Sequence, residues 1–317
     1  MKIKSILISG IGIAGPTLAY WLARQGLQTT LVERAPSLRS GGYVIDFWGV
    51  GYDIAERMGL LPALRIEGYD VSELRFVNDH GRRAGGFGAE VFRSLAGGRY
   101  VSLPRSTLAK LIYDKIEDRC ETLFGDRITS VEQSGDRVQV TFERAAARSF
   151  DLVIGADGLH SAVRELVFGS EERFEKYLGY MVAAFEAEGY RPRDEGVYVS
   201  YCRPGKQVAR FAMRDNRTLF LFVFAADRPL LVEPHNKAAQ KKVLHATFGD
   251  AGWECPLILA ALDACDEFFS TASARSGWMF GRLAGWLWSV MPPSAHHCWL
   301  VKAPHWPWWL PMSWRVN

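Results

Sequence analysis

The sequence predicts an α/β chain in which a parallel sheet flanked by helices is joined to a smaller domain built on an antiparallel sheet. Three observations lead there. A short apolar strand, a glycine-rich turn, a helix and a second strand follow one another within the first 33 residues. A second nearly continuous apolar segment, Asp151 to Gly155, has the length and composition of a strand covered on both faces. From Gly179 to Ala226 the pattern changes to long β-rich segments separated by polar turns.

The first strand is Ser5 to Ser9. The turn Gly10 to Gly15 follows, Pro16 sits in the first helical turn, and Leu18, Trp21 and Leu22 recur at helical spacing until Gly26 closes the helix. Thr29 to Glu33 is the next strand. Leu74 to Val77, the turn Asn78 to Gly81 and the glycine-rich stretch after Ala84 predict a small sheet outside the parallel one. Ser106 to Ile116 carries Leu108, Leu111 and Ile112 at helical spacing, and Ile128 to Phe142 reads as two strands joined around Ser134-Gly135-Asp136. In the β-rich region, turns fall at Arg203-Pro204-Gly205 and Arg214-Asp215-Asn216. Its aromatic residues Phe211, Phe220, Phe222 and Phe224 are read as sheet core. Lys237 to Phe248 and Pro256 to Cys265 read as helices, and no internal repeat is present.

Composition limits the function classes. The chain has 317 residues, 48% of them hydrophobic, and a formal net charge of +3, which describes a globular protein with a sizeable core. Basic residues are interspersed with acids over the first 267 positions, so no nucleic-acid footprint is expected. The five cysteines are widely spaced and predict neither a disulfide framework nor a metal site. The apolar N-terminal stretch is punctuated by glycines and lacks a cleavage site, so it is read as a buried strand, not a leader. No apolar run approaches the length that spans a bilayer, and a cytoplasmic enzyme with no membrane association is the expectation. Oligomeric state is not legible.

In Gly10-Ile11-Gly12-Ile13-Ala14-Gly15, Gly10 permits a tight turn, Gly12 lets backbone approach a pyrophosphate, and Gly15 lets the helix lie against the strand. The helix N-terminus then offers unpaired N–H groups to phosphate. Glu33 ends the second strand about 20 residues on, where an acid accepts hydrogen bonds from a ribose hydroxyl. Dinucleotide binding follows, with Arg34 counted beside Glu33. FAD and NAD share this fingerprint, and later segments separate them.

Asp151 to Arg164, DLVIGADGLHSAVR, resembles the second flavin-contacting motif of the single-component FAD monooxygenases of the para-hydroxybenzoate hydroxylase type. The resemblance implies that Asp157 lies near the flavin and contributes to binding FAD or NAD(P)H, with Ser161 and Arg164 completing the pattern. Val101 to Ile112 resembles the family segment whose arginine, here Arg105, contacts FAD at a helix start. The loop Ser40 to Asp46 is similar to the branch that contains tetracycline-inactivating monooxygenases, which implies an FAD contact for Asp46, backbone approach at Gly42 and a flavin or NADPH phosphate contact for Arg39. The implied fold is an FAD-binding Rossmann-like sheet plus a substrate domain. The implied activity is hydroxylation of an aromatic or polycyclic small molecule with NAD(P)H and O2. No acid–base triad is required, so no catalytic residue is assigned and His160 is read as surface or structural.

The family's third motif, a Gly-Asp followed by small residues, is absent where it is expected near 290–305. No Asp or Glu follows Glu267, and eight of the eleven tryptophans lie after Gly277. Ser289 to Asn317 has neither helical nor strand periodicity. Read from the third base of each codon, Ser289 to Pro293 can yield Gly-Asp-Ala-Ala, and Ala295 to Lys302 can yield Pro-Ser-Leu-Leu-Ala-Gly-Glu with both leucines forced. The expected organisation is therefore 1–72 with 100–170 as a discontinuous FAD-binding domain lacking its C-terminal part, 73–99 with 171–267 as the substrate domain, and 268–317 as an out-of-frame tail. Two other readings stay open. One is a flavin-dependent reductase or dehydrogenase that inserts no oxygen; the other is an inactive remnant of the monooxygenase.

Overall fold

A computed structural model describes residues 3–39, 43–229, 236–266, 268–276, 280–283, 286–290 and 298–302. The first part of the chain contains β1 (Ser5–Ser9), α1 (Ala14–Arg24), β2 (Gln28–Glu33), β3 (Val44–Trp48), α2 (Val50–Arg57), α3 (Leu61–Glu67), β4 (Glu73–Val77), β5 (Arg83–Gly88), α4 (Glu90–Leu95), β6 (Tyr100–Pro104) and α5 (Arg105–Tyr113). Next come β7 (Glu121–Phe124), β8 (Ile128–Ser134), β9 (Arg137–Phe142), β10 (Arg148–Phe150), β11 (Leu152–Gly155), α6 (Ala162–Phe168) and a 3-10 turn at Glu171–Arg173. The β-rich region supplies β12 (Glu175–Glu188), β13 (Val197–Arg203), β14 (Lys206–Ala212) and β15 (Arg217–Ala225), followed by α7 (Lys237–Phe248) and α8 (Cys255–Asp263). Four strands close the described chain: β16 (Phe268–Ser276), β17 (Phe280–Leu283), β18 (Trp286–Val290) and β19 (Cys298–Lys302).

Contacts divide the chain into two units, 1–38 with 113–176 and 275–317, and 39–112 with 177–274. Residues 39–72 and 100–112, grouped above with the cofactor domain, fall in the second unit. There the β3–β6 ribbon pairs Asp46 with Ser102, and Tyr69 bridges to Ser102.

In the first unit, β11, β1, β2 and β7 form a parallel sheet in that order. Ile6, Leu7, Ile8, Leu31, Val32, Val153 and Ile154 are all buried, as strands covered on both faces require. Asp151 sets the β1–β11 register. Its Oδ2 accepts the N–H groups of Lys4 and Ser5, each at 2.9 Å. Val138, Val140 and Phe142, alternating along β9, pack with Leu7 and Val153 as the sequence pattern requires. α1 forms as the apolar spacing predicts, but the residues that carry the spacing are not its most buried ones. Leu18, Trp21 and Leu22 are half-buried, whereas Ala14, Gly15, Pro16, Ala19 and Tyr20 are buried. Small residues bring the helix axis close to the strands, with Tyr20 buried beside them.

The second unit is organised on a seven-stranded sheet, β16-β12-β15-β14-β13-β4-β5. β4 and β5 are not a separate sheet; β4 extends the large one by pairing parallel to β13. The two sheet faces differ. Phe185, Phe220, Phe222 and Phe224 pack beneath Leu244, Phe248, Ile258 and Leu262 of α7 and α8. Phe211 lies on the opposite face, stacked on its cross-strand partner Tyr198 with ring centroids 4.4 Å apart and met edge-on by Tyr69 at 5.2 Å. The β14–β15 turn places Asp215 and Asn216 at φ 56° and 58°, the left-handed geometry Asp and Asn accommodate best among non-glycine residues.

β17, β18 and β19 pair antiparallel although the sequence from Ser289 on lacks strand periodicity. Ladder formation is a backbone property, and the Trp, Leu and Val content of these segments favours it. Residues 291–297 and 303–317 lie outside the described residues. Among the described residues no helix is long and apolar enough to cross a membrane.

Candidate functional site

The first cluster of predicted site residues is built on the C-terminal ends of β1, β2 and β11. Gly10 leaves β1 with φ +103°, its N–H donating to Val32 O at 2.8 Å. A Cβ there would sit 2.5 Å from Ala156 O and 2.7 Å from Asp157 Cα. A Cβ on Gly15 would sit 2.0 Å from Gly10 O. These two glycines are therefore fixed by the protein's own packing. Gly12 differs, because a Cβ there would meet nothing within 4 Å. Its backbone borders open space at the N-terminus of α1. That helix has no side-chain cap at Ile13 and no acid in its first turn. Its exposed end can receive an anion.

Glu33 closes one side of the turn. Its Oε2 accepts the Ile11 N–H at 3.0 Å, and its Oε1 accepts the Ala35 N–H at 3.1 Å. Ionised carboxylate oxygens keep further lone pairs, so Glu33 can still accept from a ribose hydroxyl. Arg34 follows on the exposed side of the strand end.

Asp157 closes the other side, two residues beyond the end of β11. Its Oδ2 accepts from Ser9 Oγ and from the Val163 N–H, both at 3.2 Å. Its Oδ1 is buried and has no hydrogen-bond partner among the described residues. Burial raises the Asp157 carboxyl above the usual range; the Ser161, Ser9 and backbone hydrogen bonds only partly oppose this. A buried acceptor with an unfilled valence beside a glycine cradle fits a polar cofactor. Arg164, 1% exposed, supports the same turn. Ser161 Oγ caps its backbone N–H at 3.0 Å, its Nη2 donates to Leu159 O, and its guanidinium lies over the Phe174 ring at 5.7 Å.

A second cluster lies within the second unit. Asp46 on β3 accepts from Tyr100 OH at 2.6 Å and from Ser102 Oγ at 2.8 Å, both across the ribbon on β6. Burial, with the Asp46 carboxylate next, raises the Tyr100 hydroxyl well above its ordinary pKa. Arg105 begins α5 directly after β6, half-buried, and its N–H donates to Tyr43 O at 3.1 Å. Asp46 and Arg105 are thus carried by one ribbon. Arg39 is exposed, and Gly42 lies outside the described residues.

The sequence reading missed Tyr100 and Ser102. Their signal was the i, i+2 spacing of polar groups on one strand, which becomes informative only when β3 is known to pair opposite them.

The comparisons with known proteins bear on the family and the fold. A family model described as an FAD binding domain matches residues 4–258. The chain is 36% identical over 292 residues to an uncharacterized protein of Mycobacterium tuberculosis strain H37Rv, covering 89% of this chain and 76% of that one. It is 31% identical over 294 residues to a flavin-dependent monooxygenase of an unknown prokaryotic organism, covering 89% and 73%. It is 30% identical over 290 residues to a flavin-dependent monooxygenase of Legionella longbeachae, covering 88% and 72%. Among solved structures, the tetracycline destructase Tet(51) matches with a TM-score of 0.73 and 29% identity over 86% of this chain and 70% of that one. Klebsiella pneumoniae HpxO, complexed with FAD and uric acid, matches with a TM-score of 0.68 at 22% identity, over 86% and 68%, a likeness of fold alone.

Proposed function

The chain belongs to the FAD binding domain family that includes flavin-dependent monooxygenases, and from that premise we propose that it uses NAD(P)H and O2 to hydroxylate an aromatic or polycyclic organic substrate. FAD, when bound, would supply the redox chemistry that couples NAD(P)H oxidation to O2 activation. The protein's part is to bind, orient and exclude water. The observation that carries this reading is the Gly10–Gly15 turn held between Glu33 and Asp157, whose buried Oδ1 has no partner among the described residues.

Each residue then has a role that follows from its chemistry. The open backbone at Gly12 and the uncapped end of α1 hold the cofactor pyrophosphate. Glu33 accepts from the adenosine ribose, with Arg34 at the rim. Asp157 Oδ1 accepts from a cofactor hydroxyl or N–H, and Ser9, Ser161 and Arg164 hold it in place. Asp46, oriented by Tyr100 and Ser102, and Arg105 are an acceptor and a donor carried by one ribbon of the second unit, and the family resemblance assigns them to flavin binding. Arg39 and Gly42 belong to the same set by resemblance.

For the substrate, the reading rests on the tetracycline destructase likeness, which favours a planar fused-ring compound; the Tyr198–Phe211 stack is sheet packing, with Phe211 only 1% exposed. The test has two parts. Purified protein is assayed for bound flavin by its visible absorbance. Phenolic and polycyclic compounds are then screened for stimulated NAD(P)H oxidation with O2 uptake and a product one oxygen heavier. Flavin reduction that no compound couples to an oxygenated product would overturn the monooxygenase reading in favour of a reductase.

A further inference from the structure

We propose that His160, Glu171 and Glu175 form a divalent-cation site of the Zn2+ type on the first unit, separate from the cofactor cradle. The sequence hides it, because the three residues have no recognisable ligand spacing: they come from the turn after β11, the 3-10 turn and the first position of β12. The fold brings one ligand atom from each within 4.8 Å of the others.

The electrostatics call for a cation. His160 Nδ1 and Glu171 Oε1 already share a hydrogen bond at 2.6 Å. Arg164 Nη2 lies 3.5 Å from that same oxygen, so Glu171 has partial charge compensation. Glu175 has none. Its half-buried carboxylate makes no hydrogen bond or ion pair among the described residues, yet it points into the same small volume as a second carboxylate. Two converging carboxylates with one guanidinium, 3.5 Å from Glu171, leave net negative charge, and like charges at this separation repel. An imidazole nitrogen and two carboxylate oxygens are a ligand set that late first-row divalent ions accept, with water completing the shell. On binding, Nδ1 must present its lone pair, so the proton it shares with Glu171 leaves or moves to Nε2. His160 closes the turn that begins at Asp157. A bound cation would therefore hold the far end of that turn to the start of β12.

The test uses untagged full-length protein carrying Cys202→Ser, since the exposed Cys202 thiol is an independent zinc ligand. Zn2+ is titrated calorimetrically against this parent and against His160→Gln and Glu175→Gln, with far-UV circular dichroism as the check on folding. The expected result is one saturable equivalent in the parent and affinity about tenfold weaker or worse in each variant. No saturable binding in the parent, or equal affinity in all three proteins, overturns the site. Should a variant fail to fold, Co2+ added to the parent decides the matter. A d–d spectrum of mixed nitrogen–oxygen ligation that Zn2+ titrates away supports the proposal, and its absence refutes it.

Discussion

Glu33 Oε2 accepts the backbone N–H of Ile11 at 3.0 Å, which ties the carboxylate at the end of β2 to the middle of the glycine turn. The same side chain thus shapes the cradle and remains available to a ribose. Glu33→Gln keeps the length but removes the charge, and a charge-assisted hydrogen bond is worth about 1.5–3 kcal/mol. We expect FAD affinity to fall by about ten- to a hundredfold, read as a rise in Kd by fluorescence titration. An unchanged Kd would remove Glu33 from the site.

The three glycines separate fold from binding. Gly10→Ala and Gly15→Ala press a methyl against backbone at 2.5 Å and 2.0 Å, so both should lower the melting temperature of the apoprotein. Gly12→Ala meets nothing within 4 Å. It should melt like the parent and still lose FAD, because the methyl occupies the space the pyrophosphate needs. Equal thermal loss in all three variants would contradict this assignment.

Asp157 gives a pH signature. Burial raises its carboxyl, so the folded apoprotein holds that proton to higher pH than the unfolded chain does. The stabilising contribution is complete below the unfolded carboxyl pKa of about 3.9 and is lost as pH rises through the higher folded value. Asp157→Asn cannot ionise. The variant should match the parent in strongly acidic buffer and melt above it near neutrality, while binding FAD more weakly. Thermal melts across pH test this; parallel curves for the two proteins would refute it.

How far the sequence reached can be seen at particular residues. Gly10, Gly15 and Glu33 were legible because one local unit positions all of them, and local geometry follows from spacing. Asp157 was found by resemblance, yet its unpartnered Oδ1 was not foreseeable, since that depends on Ser9 arriving 148 positions earlier. Tyr100 and Ser102 were missed for the same reason: their meaning rests on a cross-strand register. The buried side of α1 was not legible, because in a helix packed through glycine and alanine the spacing of the larger apolar residues does not mark it. The placement of β4 beside β13 also eluded the sequence, because strand pairing at such separation leaves no local trace.

The acid-free tail makes a prediction about the gene. If residues from about Phe268 onward are translated out of frame, reading from the third base of each codon should stay open and encode Gly-Asp followed by small residues at the position of Ser289 to Pro293. Sequencing the locus decides it. A stop codon in that frame between codons 270 and 317 sinks the idea.

The strongest stability prediction concerns Arg210, which is 3% exposed on the α8 side of the large sheet. Its Nε and Nη2 donate to Glu254 at 2.9 and 3.1 Å, and Nη2 also reaches Asp194 at 2.7 Å. Burial alone would raise the Asp194 carboxyl, but Arg210 and Arg75 override it and hold the group below its ordinary value. Arg210→Met fills similar volume yet leaves Glu254 with the Tyr190 hydroxyl and Asp194 with Arg75, and breaking a buried pair costs about 3–5 kcal/mol. The melting temperature should drop sharply at neutral pH. Because the parent's Asp194 contribution is present above the unfolded carboxyl pKa and lost as pH falls through the lower folded value, the gap between variant and parent should narrow in acid. Chemical denaturation at two pH values checks both points. A variant as stable as the parent at neutrality would show that Arg210 is not what compensates these acids.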